Sequence, residues 1–304
     1  VNNRELRFGI LDLGYINDMS SAGDSVDNTV EYAIEADRLG FSRFWVGEHH
    51  EDTTAWRSPE ALIGVLAERT SKIRIGSGGI CLPLHSTLRV AQNFRMFNHL
   101  YSGRIDLGIA KGTTVDRIAN YLVGPDQCEL NSINHIERVQ EVLRFLSNAD
   151  RKEGGNETIW SPPYNNRAPQ IWILGSSGKN ALKIIDEQCS YCFSFFHNQS
   201  IESPERILEL LKMYEQKIGR KPLISLAVAC QFIDSRTNNL GDSLRSFPKS
   251  NFRGTITECI KDMFDLSHEF KIQEIMIVNL CENQTQRLSD LRALAKGIQA
   301  YEAS

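Results

Sequence analysis

Short β-rich runs and amphipathic helical stretches alternate along this chain from one end to the other, and that rhythm leaves few folds open. Eight runs read as strands: "RFGILDLG" (7–14), "FSRFWVGE" (41–48), "IRIGSGGICL" (73–82), "RIDLGIAKG" (104–112), "QIWILGSS" (170–177), "YCFSFFHN" (191–198), "LISLAVACQF" (223–232) and "IQEIMIVNL" (272–280). Most are nearly continuous apolar runs, the pattern of parallel strands covered on both faces. Helical segments lie between them with their own punctuation. "SVDNTVEYAIEADRLG" opens on a Ser cap and closes at Gly40, while "SPEALIGVLAERTS" and "SPERILELLKMYEQKIG" place Pro at the first helical position. "STLRVAQNFRMFNHLYSG", "INHIERVQEVLRFLSN", "GKNALKIIDEQ", "TITECIKDMFDLSHEF" and "QRLSDLRALAKGIQAYE" complete the set.

Repeated strand–helix alternation means parallel pairing through right-handed crossovers. Eight such units in 304 residues predict an α/β chain folded as a (β/α)8 TIM barrel, one domain over 1–304, with irregular loops at 149–169 and 235–254. A dinucleotide-binding sheet would carry G-x-G-x-x-G after its first strand, and "GSGG" at 76–79 lacks that spacing.

Charge and cysteine usage narrow the function class. A formal charge of −4 gives no electrostatic case for nucleic acid or an anionic membrane. No apolar run approaches the ~18 residues of a membrane span. The start "VNNRELRFGI" has no basic-then-apolar leader, so a cytoplasmic location is expected. Seven cysteines, an odd number in a long chain, do not read as a disulfide framework. Cys189 and Cys192 form a C-x-x-C that follows a helical stretch, the wrong end for stabilising a thiolate, so structural burial is expected.

The sharpest local feature is "FWVGEHHEDT" (44–53), three titratable groups directly after a core strand. In a (β/α)8 barrel the reactive face lies at the C-terminal ends of the strands. That rule gathers Glu48, His49 and His50, Ser77 to Gly79, Lys111, Gly175 to Ser177, and His197 around one mouth. Adjacent residues of a strand point to opposite faces, so one of the two neighbouring histidines should look into the mouth. No metal is expected, because an adjacent pair cannot easily converge on one ion and no third ligand follows at zinc spacing. "ILGSSGKNALKIIDE" (173–187) runs from strand through Gly-Ser-Ser-Gly into helix, which brings free amides, hydroxyls and a positive helix end together. Such a turn binds phosphate, with Lys111 as counter-charge, although a plain capped turn has the same composition. The glycines at 76–79 admit a flat ligand close to the backbone, or serve tight packing.

"FGILDLG", "ADRLGFSRFWVGEHH", the long stretch from "SPEALIG" to "RIDLGIAKG", and "PQIWILGSSGKNA" together resemble the bacterial-luciferase-like flavin-dependent monooxygenases, in family order and at family spacing. The motifs E-H-H, S-G-G-x-x-L-P-x-H-S and L-G-S-S-G carry the resemblance. It implies a barrel that binds FMN in its reduced form, FMNH2, usually as a homodimer. With O2 it would oxygenate a small organic substrate through a C4a-peroxyflavin. It also implies that His49, rather than His50, is the catalytic histidine, oriented by Glu48. Lys111, Ser176 and Ser177 beside Gly175 would hold the phosphate, and Gly78–Gly79 would be a cis peptide step beneath the flavin ring. With no nicotinamide fingerprint in the chain, a separate flavin reductase is the expected source of FMNH2. Two departures matter: Lys111 stands where the family commonly has Arg, and the 235–254 stretch is short. They keep two alternatives in view, a non-catalytic flavin-binding relative and a deazaflavin-dependent oxidoreductase on the same barrel.

Overall fold

The apolar runs lie side by side, all pointing the same way. A computed structural model describes residues 6–16, 21–112, 114–147, 163, 168–176, 189–197, 223–233 and 250–303, with isolated positions between 209 and 219. In chain order the first half holds β1 (Arg7–Asp12), α1 (Ala22–Leu39), β2 (Arg43–Val46), α2 (Pro59–Arg69), β3 (Arg74–Ser77), β4 (Ile80–Cys81), α3 (Thr87–Leu100) and β5 (Ile105–Ala110). Three helices follow: α4 (Asp116–Val123), α5 (Gln127–Ile133) and α6 (His135–Ser147). The rest comprises β6 (Gln170–Gly175), β7 (Cys189–Ser194), β8 (Ile224–Phe232), β9 (Phe252–Gly254), α7 (Ile256–Phe270), β10 (Glu274–Asn279) and α8 (Gln284–Glu302). Strands pair in the order β1-β2-β3-β5-β6-β7-β8-β10, and β10 pairs back onto β1, so eight parallel staves close a barrel. The expected α/β barrel is what forms.

Several details differ from the sequence reading. The third run is two strands, because β3 leaves β5 after Gly76↔Asp106 and β4 rejoins it at Ile80↔Ile109. Ser77, Gly78 and Gly79 therefore stand opposite only Leu107 and Gly108. The Ser77 hydroxyl donates to Gly108 O at 2.9 Å and accepts from Gly108 N at 3.0 Å, which replaces the missing rungs of the ladder. A side chain at Gly108 would meet Ser77 O at 2.1 Å, so only glycine permits this approach. Helix α1 starts a turn earlier than Ser25. Ser21 accepts from Asp24 N while the Asp24 carboxylate reaches back to Ser21 N, a reciprocal cap. Of the two expected loops, 149–169 lies largely outside the described residues, as do 235–249. The 252–254 part of the second is strand β9, paired with β8. The helical readings at 178–188 and 203–218 also fall mostly outside the described residues.

A polar cluster fixes the bottom of the barrel. There Arg43 is buried between Asp106 at 2.6 Å and Glu274 at 2.7 Å, and Arg74 closes on the other oxygen of Asp106. Above it, Trp45 and Trp172 meet edge to face at 5.1 Å in the fully buried interior. Cys189 and Cys192 are buried in β7, and burial pushes the Cys192 thiol up to about 12, so the C-x-x-C is structural packing.

On the outside, Glu35 of α1 accepts from Arg38 at 2.7 Å and from Arg292 of α8 at 2.6 Å. The hydrogen bond from Arg38 and then that from Arg292 overcome partial burial and hold its carboxyl at about 2 instead of 4.5. The folded value is the lower one, so the unfolded chain binds the extra proton first as pH falls. Stability should therefore decline as pH drops from about 4.5 to about 2, and Glu35→Gln should flatten that part of a pH–urea midpoint curve. Both arginines are more than half exposed, which keeps the effect small.

Candidate active site

The residues after β2 leave the barrel wall as a loop that neighbouring segments hold in place. Gly47 N donates to Asp12 O at 2.9 Å, Trp56 Nε1 donates to Gly47 O at 2.9 Å, and Ala55 N donates to Gly14 O at 2.7 Å. Gly14 sits at φ +71 against the Trp56 ring, a position closed to any other residue both sterically and conformationally. Because β2 ends at Val46, the alternation rule does not govern residues 47–50. Both His49 and His50 line one cavity of about 830 Å³ at the C-terminal mouth. The expectation that only one of them faces the mouth is corrected accordingly.

Glu48 does not orient His49. Its carboxylate is buried and accepts from Cys81 N at 2.8 Å, His50 Nε2 at 2.8 Å and His85 Nε2 at 2.9 Å. Burial opposes ionisation, but the hydrogen bonds from His50 and His85 outweigh it and hold the carboxyl below its ordinary value. His85 responds in kind, its pKa raised by Glu48 against the cost of burial. An ionised carboxylate only accepts, so both rings present Nε2–H to it. That leaves Nδ1 of His50 without that proton in the neutral ring, buried and with no hydrogen-bond partner among the described residues. The physical reason for the misassignment is local. With no strand beyond Val46, Glu48 turns onto the β4 backbone, and His49, still lining the cavity, pairs with Glu51.

His49 Nδ1 lies 3.3 Å from Glu51 Oε2, and the Tyr15 ring stands 6.3 Å from its own. The hydrogen bond from His49 brings Glu51 down to about 2. Across the cavity, His197 bonds the Ser194 hydroxyl through Nδ1. Burial, then the nearby His49, pushes its pKa down to about 4.

The other sequence-derived positions converge on the same space. Gly78, Gly79, Lys111, Gly175 and Ser176 all line the cavity, over a floor that includes Leu11, Ile173, Leu174 and Ala227. The Gly78–Gly79 peptide is cis, as the resemblance implies. Ser177 and the helix expected from Gly178 lie outside the described residues. Sequence reasoning missed Glu51, His85 and His135 as parts of this region. His85 was within reach, in the L-P-x-H-S motif; His135 opens an ordinary amphipathic helix and carries no local signal. Among the described residues no group of three or more His, Cys, Asp or Glu is arranged to hold a metal, and no helix is long and apolar enough to cross a membrane.

Similarity to known proteins is extensive. The chain is 36% identical over 190 residues to the uncharacterised protein YwcH of Bacillus subtilis, covering 62% of this chain and 57% of that one. It is 32% identical over 198 residues to the N-acetyl-S-alkylcysteine monooxygenase of the same organism, covering 64% and 58%. It thus spans less than two thirds of the length of these curated relatives. Among solved structures, apo-MsnO8 shares the fold at a TM-score of 0.81 with 23% identity, covering 97% of this chain and 98% of that one. So do the oxygenating constituent of 3,6-diketocamphane monooxygenase from Pseudomonas putida in complex with FMN (0.73, 14%, 96% of each chain) and an F420-dependent secondary alcohol dehydrogenase (0.67, 13%, 97% and 99%). The family model described as luciferase-like monooxygenase matches residues 6–238, from the first stave to beyond β8, and the chain belongs to that family.

Proposed function

We propose that this protein is a two-component flavin-dependent monooxygenase that uses reduced FMN and O2 to oxygenate a small organic substrate, drawing FMNH2 from a separate reductase and working as a homodimer. The observation that carries the reading is the cavity itself. Its volume of about 830 Å³ lies in the usual range for cofactor sites, and it combines an apolar floor with a few convergent polar groups.

The residues present fit the cofactor. Leu11, Ile173, Leu174 and Ala227 offer an apolar bed for a flat ring, and Gly78–Gly79 offers bare backbone beside it. Lys111 and Ser176 follow β5 and β6, adjacent staves, and line the same cavity, which suits a phosphate. When bound, the reduced flavin supplies the electrons that activate oxygen. His49 handles the accompanying proton. Its Nδ1 side is committed to Glu51, which leaves Nε2 as the atom that gives or takes a proton. Glu48, which also accepts from His85, holds His50 in the wall, and Leu11, Ile173, Leu174 and Ala227 present an apolar surface to the reacting groups.

A second reading, a deazaflavin-dependent oxidoreductase, is favoured by the F420-dependent neighbour, since the same barrel accommodates both cofactors. Anaerobic titration with FMNH2, followed by an oxygen pulse and analysis of aldehydes, ketones, amines and thioethers for an added oxygen atom, separates the possibilities. Tight binding and oxygenated product support the monooxygenase. Binding without any product supports a flavin-storage role, and binding of reduced F420 alone supports the second reading.

Lys111→Ala should weaken FMN binding by about 1–3 kcal/mol, the scale of a hydrogen bond to a charged group, and leave riboflavin unaffected. Equal binding of FMN and riboflavin by the unaltered protein would remove the phosphate assignment.

A further inference from the structure

The cavity wall contains an imidazole that no part of the scheme above uses. His135 is the first residue of the 13-residue helix α6, is only 5% exposed, and lines the cavity. Its Nδ1 is buried without a partner, and neither ring nitrogen makes a hydrogen bond among the described residues. Nδ1 has no accessible surface of its own, so Nε2 is the ring nitrogen that a ligand in the cavity can reach, and a buried ring with neither nitrogen paired still lacks the partner its desolvation calls for.

The surroundings define what that partner is. Lys111, at the end of β5, lines the same cavity and forms no ion pair among the described residues. Arg138 stands three residues further along α6, anchored to the carbonyls of Leu82 and His85, acceptors that do not neutralise it. Glu141 on the same helix offsets part of its charge. Burial, then the charges of Lys111 and Arg138, pushes the His135 pKa down to about 4, so the ring is neutral at neutral pH. A neutral ring offers one N–H donor. The positive end of α6 adds to the same field.

We propose that His135 and Lys111 together bind one anionic oxygen group of a ligand in this cavity, Lys111 supplying the charge and His135 a directional N–H hydrogen bond. The group is the flavin phosphate or a carboxylate on the substrate; the phosphate source rests on the flavin reading above, whereas the site does not. His135 thereby becomes a specificity residue at a position where the motifs of the chain give no sign of one.

The test compares His135→Phe, which keeps the ring bulk and loses the donor, with His135→Gln, which keeps a donor. Anaerobic dissociation constants for reduced FMN and reduced riboflavin are read alongside ¹⁵N spectra of the labelled histidine rings during titration with inorganic phosphate and with acetate. The expected result is roughly 10–100-fold weaker FMN binding in the Phe variant, recovery of most of that loss in the Gln variant, and no change for riboflavin. Phosphate should shift the His135 ring signals of the unaltered protein, and less so in Lys111→Ala. If FMN binding is unchanged but acetate shifts those signals, the site stands with a carboxylate as its ligand. Equal loss of FMN and riboflavin, or ring signals that respond to neither anion, overturns the proposal. Failure of the unaltered protein to bind any flavin would remove the flavin reading alone, since the phosphate and acetate titrations still decide this one.

Discussion

With His49 replaced by alanine, the protein should bind reduced FMN about as tightly as before and lose roughly 10²–10⁴-fold in oxygenated product, the usual range for a general acid–base group. Hydrogen peroxide should take the place of product, because electrons already delivered to oxygen are then released without oxygen transfer. The geometry makes the expectation specific. His49 lines the cavity, and its Nδ1 faces Glu51 at 3.3 Å. Glu51→Gln removes that charge while keeping the shape, so it should give a smaller loss than His49→Ala and move the pH–rate profile. His50→Ala should act differently. It strips one of three hydrogen-bond donors from the buried Glu48 carboxylate and should lower the urea midpoint more than it alters product chemistry. If His49→Ala and the unaltered protein turn over identically with every acceptor tried, His49 has no part in the reaction.

A second large effect is expected at the opposite end of the barrel. Arg43→Ala should destabilise the fold by about 3–5 kcal/mol, the cost of leaving a buried ion pair with one partner missing. The guanidinium, only 1% exposed, donates to Asp106, Glu274 and Gln170 and lies 4.6 Å from the Trp172 ring centre. Without it, Asp106 keeps Arg74 and the Trp45 indole, while Glu274 keeps Ser42 and only a distant Arg7 at 3.9 Å. Glu274 is therefore the group left most exposed to the loss, and the double variant Arg43→Met with Glu274→Gln should recover part of the stability. Urea denaturation midpoints of the single and double variants check this. A single-variant loss below about 1 kcal/mol would place the network among ion pairs that contribute little.

What could be read from the sequence, and what could not, divides along a physical line. The periodicity of apolar residues located every stave from "RFGILD" to "EIMIVN", because burial on both faces of a parallel strand leaves a continuous apolar signature. It did not locate their ends: "FSRFWVGE" keeps only Arg43–Val46 as strand, and the run at "YCFSFFHN" is strand from Cys189 to Ser194 and a 3-10 turn from Phe195 to His197. The closing order of the barrel followed from alternation and handedness alone. The strand-end rule then assembled the residues of the mouth, since their position depends only on where each stave stops.

Pairing inside the mouth was beyond its reach. Glu48 sits beside His49 in the chain, yet bonds His50 and His85, because the strand ends at Val46 and the loop turns the carboxylate onto the Cys81 amide. Arg43, Asp106 and Glu274 lie on three staves, up to 231 residues apart, and nothing local to any of them announces the others. His135 looks like the start of one more amphipathic helix until the barrel places it beside Lys111. The sequence determined the scaffold because each strand and helix records its own burial in its own residues. Only the closed tertiary structure decided which charges meet, because an ion pair or a shared carboxylate depends on distances between segments that no single segment encodes.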